Sequence, residues 1–231
     1  MYEALTLAAE VSHPYSLAQA LQFAYQLHRL RREWHLVQER NEALMALATE
    51  QGFPQMVAWA ARIRAELALR TQGQGEESIA LLHRSQAALR ATGVSSVRPG
   101  ELAVLAEAYR HVGQTEAGLR LLAEALTAVD TTGERLGEAR LHWLRGEFLL
   151  ALAADHDAEA ETCFQQALAV ARRQQAKSLE LRAATSLSRL WQRQGKRAAA
   201  RELLAPLYGW FTEGFDTADL QDARALLDEL A

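Results

Sequence analysis

The sequence predicts an all-α protein, a right-handed superhelical solenoid of about five antiparallel helix pairs. Three observations lead there. Only four prolines occur, Pro14, Pro54, Pro99 and Pro206, and the stretches between them are rich in Ala, Leu, Arg, Glu and Gln, all strong helix formers. No window alternates β-branched and polar residues as a strand would. Helix-ending glycines recur at a spacing of about forty residues. Gly52, Gly93 and Gly133 follow long helical runs, while Gly73, Gly113 and Gly195 interrupt such runs midway, with Asp155 at the missing midpoint.

These punctuation marks define the elements in chain order. Residues 2–11 (YEALTLAAEV) read as one half of a pair. Pairs follow at about 16–52, 53–93, 98–133, 134–176 and 177–212, a period of 40–42 residues. A closing amphipathic helix spans 216–230, opened by the acidic cap Asp216. Residues 1–231 are expected to form a single domain. The half-pair at the start lacks a polar capping helix before it, which predicts a piece of a longer protein.

The segments after the inner turns explain why pairs should form. They read EESIALLHRSQAAL, EAGLRLLAEALTAV, AEAETCFQQALAVA and RAAARELLAPLYGW. One column holds Ser78, Gly118, Ala160 and Ala200, all small; four residues on stand Leu82, Leu122, Phe164 and Leu204; three further on come Ser85, Ala125, Ala167 and Leu207. These positions share one helix face. In the preceding helices Ala106, Gly146 and Ser188 make a second small column, followed three residues later by Tyr109, Leu149 and Trp191. Small residues allow close backbone approach, and the large residue one turn away fills the adjoining space. The second repeat, MVAWAARIRAELALRTQG, fits these columns only with a one-residue offset.

This order of small, large and small positions around a turn glycine resembles the tetratricopeptide (TPR) repeat. The period of that family is shorter, so longer helices are expected here. The ending, from QQAKSLELRAATSLSRLWQRQGKR to the last DEL, is similar to the C-terminal helical-repeat region of large bacterial regulators. Those proteins carry an adenylate or guanylate cyclase domain, or a DNA-binding domain, ahead of a signal-transducing NTPase module. The resemblance implies a sensor or scaffold region. It carries over no catalytic residue, because the chain has neither a GxxxxGK[ST] loop nor the paired aspartates of a cyclase. Only two lysines, Lys177 and Lys196, stand among many arginines, which suits a GC-rich bacterial genome.

Composition bounds the function. About half the residues are apolar and about a quarter are charged, as in soluble globular proteins, and the net charge of −4 exerts no general pull on nucleic acid. The single cysteine, Cys163, excludes an internal disulfide. The N-terminus lacks a basic segment followed by an apolar core, and the most apolar window, 148–154, is too short to span a bilayer. A cytoplasmic protein follows. No HExxH, CxxC, GxSxG or phosphate loop occurs, so neither an enzyme nor a cofactor is indicated. His28 and His35 lie two turns apart with no acidic partner at ligand spacing, and the Asp155–His156–Asp157 run reads as a solvated turn rather than a metal site. Cys163, on a helix, reads as a small buried filler.

Binding is the remaining class. In the TPR family the first helix of each pair lines a concave wall. Matched residue by residue, the resemblance puts Gln22, Gln26 and Arg29 there in the first repeat. Glu107 and Arg110 follow in the third, with His111 nearby; Arg140, Trp143 and Glu147 in the fourth; Arg182, Thr185, Arg189 and Gln192 in the fifth. In the second repeat Trp59 and Arg62 are candidates. Trp143 has two readings: an anchor for a partner, or an indole closing the groove against the next repeat. Charge is also uneven. Nine bases against Glu180 alone fall in 172–201, and six acids against Arg224 alone fall in 213–229. Either the closing helix lies against the basic repeat, or the basic face holds an anion. The leading expectation is a regulatory module that binds a protein or peptide, or another domain of its own parent. A small-molecule sensor is the alternative, and a self-association scaffold the second. Nucleic acid and membrane are disfavoured as partners.

Overall fold

The computed structural model describes residues 2–73, 75–93, 99–152 and 154–231. All its regular structure is helical, with no strand among the described residues. In chain order the helices are α1 (Tyr2–Glu10), α2 (Pro14–Leu30), α3 (Trp34–Glu50), α4 (Pro54–Gln72), α5 (Gly75–Ala91), α6 (Pro99–His111), α7 (Thr115–Thr132), α8 (Glu138–Leu152), α9 (Asp157–Arg173), α10 (Lys177–Arg193), α11 (Arg197–Tyr208) and α12 (Ala218–Glu229). A 3-10 turn, Ala154–His156, precedes α9. None of the helices is long and apolar enough to cross a membrane among the described residues.

The chain divides into two compact units, Met1–Ser96 and Val97–Ala231. In the first, α2 pairs with α3 and α4 with α5, α3 also packs on α4, and α1 lies on α2. In the second the pairs are α6–α7, α8–α9 and α10–α11. There α7 packs on α8, α9 packs on α10, and α12 closes over α10 and α11. Within each unit the short links return each helix antiparallel to its predecessor.

The turns carry the repeat. Left-handed backbone occurs at Ser12, Gly52, Gly93, Gly133, Gln175 and Gly214 between pairs, at intervals of 39 to 42 residues. Within pairs it occurs at Arg32, Gly73, Gly113 and Gly195. The residue after such a position donates to the carbonyl five residues back: Phe53 to Ala48 (2.8 Å), Gln114 to Tyr109 (2.9 Å) and Lys196 to Trp191 (2.8 Å). This bond satisfies an otherwise orphaned helix carbonyl. Glu33 donates to His28 (3.0 Å) and Ala176 to Ala171 (2.9 Å) in the same way. Arg32 and Gln175 therefore hold the glycine conformation with a full side chain, at φ 62° and 55°.

The small columns lie at the helix crossings. Ala106, Ala160, Ser188 and Ala200 are fully buried, as are Leu122, Phe164 and Leu204 one turn on. The Ser188 hydroxyl donates to the Ala200 carbonyl at 3.1 Å, so the two backbones meet there. A methyl on Gly118 would stand 2.9 Å from the Ala106 carbonyl and 2.7 Å from the Phe148 ring; one on Gly146 would stand 2.5 Å from the Phe164 ring. These two positions have no room for a side chain. In the first unit the same column, seven residues ahead of the left-handed residue, holds Tyr25 and Glu66 instead. Both are buried.

Candidate interaction site

In the first unit the candidates from α2 and α4 form one cluster. Gln22, Gln26 and Arg29 share a face of α2, at i, i+4 and i+7. Gln22 is buried, and Gln26 and Arg29 are half-buried. Opposite them, Trp59, Arg62 and Glu66 share a face of α4. The Tyr25 hydroxyl donates to Glu66 Oε2 at 2.9 Å. Arg29 Nη1 lies 3.4 Å from Glu66 Oε1, and Arg70 Nε lies 3.6 Å from the same oxygen. Arg70 in turn stacks on Trp34, 4.6 Å from its ring centroid. Burial, and then the charge of Glu66, push the Tyr25 phenol above its ordinary 10.0, against the opposing pull of Arg62 and Arg29.

Arg62 is the anomaly of this cluster. Its guanidinium lies between two aromatic rings, 4.9 Å from the Trp59 centroid and 5.9 Å from that of Tyr25. Only 7% of it is exposed. Among the described residues its one hydrogen bond is a long one, Nη2 to the Tyr25 hydroxyl at 3.4 Å, and its Nε has no partner. The Glu66 carboxylate reaches it only through the Tyr25 hydroxyl, and a buried cation with no direct ion pair is costly to keep.

In the second unit the candidates bridge successive first helices. Arg140 of α8 pairs with Glu107 of α6 at 2.6 Å. The Trp143 indole N–H donates to Ser186 Oγ of α10 at 2.9 Å, and Arg182 lies 5.5 Å from the Trp143 centroid. Arg182 also pairs with Asp219 of α12 at 2.5 Å, and Gln192 donates to Glu229 at 3.0 Å. Trp143 thus spans α8 and α10. Arg110 stacks on Phe148 at 5.1 Å and is otherwise exposed. Glu147 and Arg189 take no ion pair among the described residues. Thr185 turns its hydroxyl to the Leu181 carbonyl (2.8 Å) within the buried side of α10.

The basic stretch is largely neutralised within the unit. Arg172 (2.8 Å) and Lys177 (2.7 Å) meet on Glu180, and Arg173 reaches Glu138 at 3.3 Å. Arg193 and Lys196 lie 3.9 and 3.8 Å from Asp157 and Glu161. Arg197 donates to the Glu229 carbonyl on the closing helix. Burial alone would push the Glu180 carboxyl up, but the bonds from Lys177 and Arg172 hold it below its ordinary range. Arg189 and Arg201 remain as exposed cations. Cys163 is buried, and that burial pushes its thiol up, away from nucleophilic character. His156 lies 3.9 Å from Asp155, but no three potential ligands converge on a metal position among the described residues.

Two groups went unnoticed in the sequence. Tyr25 and Glu66 sit where small residues stand in other repeats, in the two repeats whose columns are weakest. The other group is Tyr208, Trp210, Phe211 and Phe215, aromatics crowded into the link between α11 and α12. Their density in YGWFTEGF was the available signal.

No protein-family model matches the chain, and no curated protein sequence matches it. Solved structures do. BtubC (BKLC) from P. vanneervenii is 15% identical over 92% of this chain and 87% of its own, with a TM-score of 0.57. The nearly identical TPR-like repeats of a kinesin light chain-like protein from Podosopora anserina are 19% identical, over 85% of this chain and 95% of that one, with a TM-score of 0.51. At such identities the likeness is one of fold, and the fold is an all-α, TPR-like helical repeat.

Proposed function

We propose that this TPR-like chain is a non-catalytic interaction module, and that the α2–α4 face of its first unit takes a carboxylate from an acidic peptide or partner segment. Arg62 carries this reading. A guanidinium between Tyr25 and Trp59, nine-tenths buried and in no direct ion pair among the described residues, is a pre-oriented fork for a two-oxygen anion. Gln22, Gln26 and Arg29 flank it on α2 and would add hydrogen bonds. Arg110 and Arg189 offer further cations on the second unit. The resemblance of the chain's ending to bacterial regulators supports a setting in a larger signalling protein, where binding would favour one arrangement of the whole.

The test is a titration of labelled glutamate-rich peptides, with glutamine-substituted controls, against the wild-type chain, Arg62→Met and Arg62→Lys. Loss of a charge-assisted bond weakens binding by about tenfold or more, so Arg62→Met should lose the acidic peptide and Arg62→Lys should retain part of it. Arg62→Met should also melt close to wild type, because a buried charge with no direct ion pair has been replaced by an apolar chain of similar length. A lower melting temperature with unchanged peptide binding would make Arg62 a packing residue and overturn the reading.

A further inference from the structure

The link between α11 and α12, GWFTEGFDT at 209–217, holds a second surface apart from the α2–α4 face. The segment is built as a firm turn. The Thr217 amide and hydroxyl both donate to the Gly214 carbonyl, at 2.9 and 2.7 Å, and the Phe211 amide donates to Tyr208 at 3.2 Å. Tyr208 and Phe211 are half-buried against the core of the second unit. Each supports a ring that stands out from it. Trp210 meets Phe211 edge to face at 5.1 Å, and Phe215 leans on Tyr208 at 5.8 Å.

The outer rings are 57% exposed for Trp210 and 47% for Phe215. Large rings left in water are a standing cost unless a partner covers them. Because they are already fixed by their neighbours, little side-chain entropy is lost when one does.

Charge defines that partner. The only charged residues in the link are Glu213 and Asp216, both exposed and neither in an ion pair among the described residues. Acids beside aromatics repel nucleic acid and anionic lipid, and favour a cation that can lie on a ring. The chain supplies its own example: Lys177 Nζ lies 5.7 Å from the Trp210 centroid while bonded to Glu180. We propose that this turn docks a cationic peptide segment of a protein partner, with arginine or lysine heads seated on Trp210 and Phe215 and paired with Glu213 and Asp216. This surface rests on observations independent of Arg62.

The experiment is fluorescence anisotropy on the full chain with a short labelled peptide of alternating arginine and serine, at near-physiological salt. A glutamate-for-arginine peptide serves as the control. The arginine peptide should bind and the glutamate peptide should not. Trp210→Ala with Phe215→Ala should weaken binding by about tenfold, the effect of losing two cation–π contacts. Both rings are exposed, so the melting temperature should hold. Glu213→Gln with Asp216→Asn should weaken binding several-fold, and Arg62→Met should leave it unchanged. No binding, equal binding of the two peptides, or binding indifferent to the aromatic pair would each overturn the proposal.

Discussion

The two units meet the same requirement, two helices crossing at close range, with opposite chemistry. In the second unit the crossings are dry. Gly118 lies under Phe148, Gly146 lies under Phe164, and Ser188 bonds a backbone carbonyl. Charged residues that are buried there are matched, as Arg140 is with Glu107, and Arg182 meets Asp219 in the same way. In the first unit the corresponding column holds Tyr25 and Glu66, with Arg62 buried beside them. A dry crossing gains from packing and tolerates no added volume. A polar crossing depends on every donor finding its acceptor. Close packing accounts for the crossings of the second unit, whereas the first carries groups that packing alone would not select.

The largest effect expected from this contrast is in the second unit. Gly146→Ala forces a methyl into the buried Phe164 ring and should lower stability by about 1–3 kcal/mol in urea unfolding. A smaller loss would mean that the crossing is looser than it looks. In the first unit Tyr25→Phe keeps the ring but removes the donor to Glu66. A buried carboxylate short of one hydrogen bond should cost about 1–3 kcal/mol, with hydrogen exchange rising in α2 and α4. A neutral result would show that the polar crossing is replaceable.

The next effect is one of pH. Burial holds the His142 imidazole below its ordinary 6.5; Arg145 pushes the same way, and Glu138 and Gln166 oppose it. A depressed folded-state value means that stability is full above 6.5 and is lost as pH falls through the folded value. The melting temperature should therefore decline as pH drops below about 6.5, and His142→Gln should flatten that decline. The smallest effect concerns the turns. Gln175→Gly relieves left-handed strain of about 1–2 kcal/mol but adds chain entropy of about 0.5–1 kcal/mol. A modest rise in melting temperature is the expected net.

The fold class was legible because glycine marks turns and small residues mark crossings. Gly52, Gly93 and Gly133 could be found by eye for that reason. Ser12, Arg32 and Gln175 could not, since nothing in an ordinary side chain announces a positive φ. The site was less legible. Family register singled out Gln22, Gln26 and Arg29, but which charges would find partners depended on helix α12 folding back on α10. That is a contact between residues about 37 apart, which the uneven charge of 172–201 and 213–229 offered only as one of two readings. Glu66 was hidden for a different reason. A carboxylate in the small-residue column breaks the periodicity that made the other repeats visible.

The left-handed turns also have a genetic consequence. They recur at nearly constant spacing, and each is followed by the start of a fresh first helix, so the segments between them have interchangeable ends. A recombination event that removed or duplicated one span, such as 134–175, would join Gly133 to Ala176 and place α10 where α8 now begins. The small column would continue across the seam, with Ser188 taking the place of Gly146. Length in such a chain is therefore an inheritable variable that changes in steps of one helix pair, without a new junction having to be invented each time.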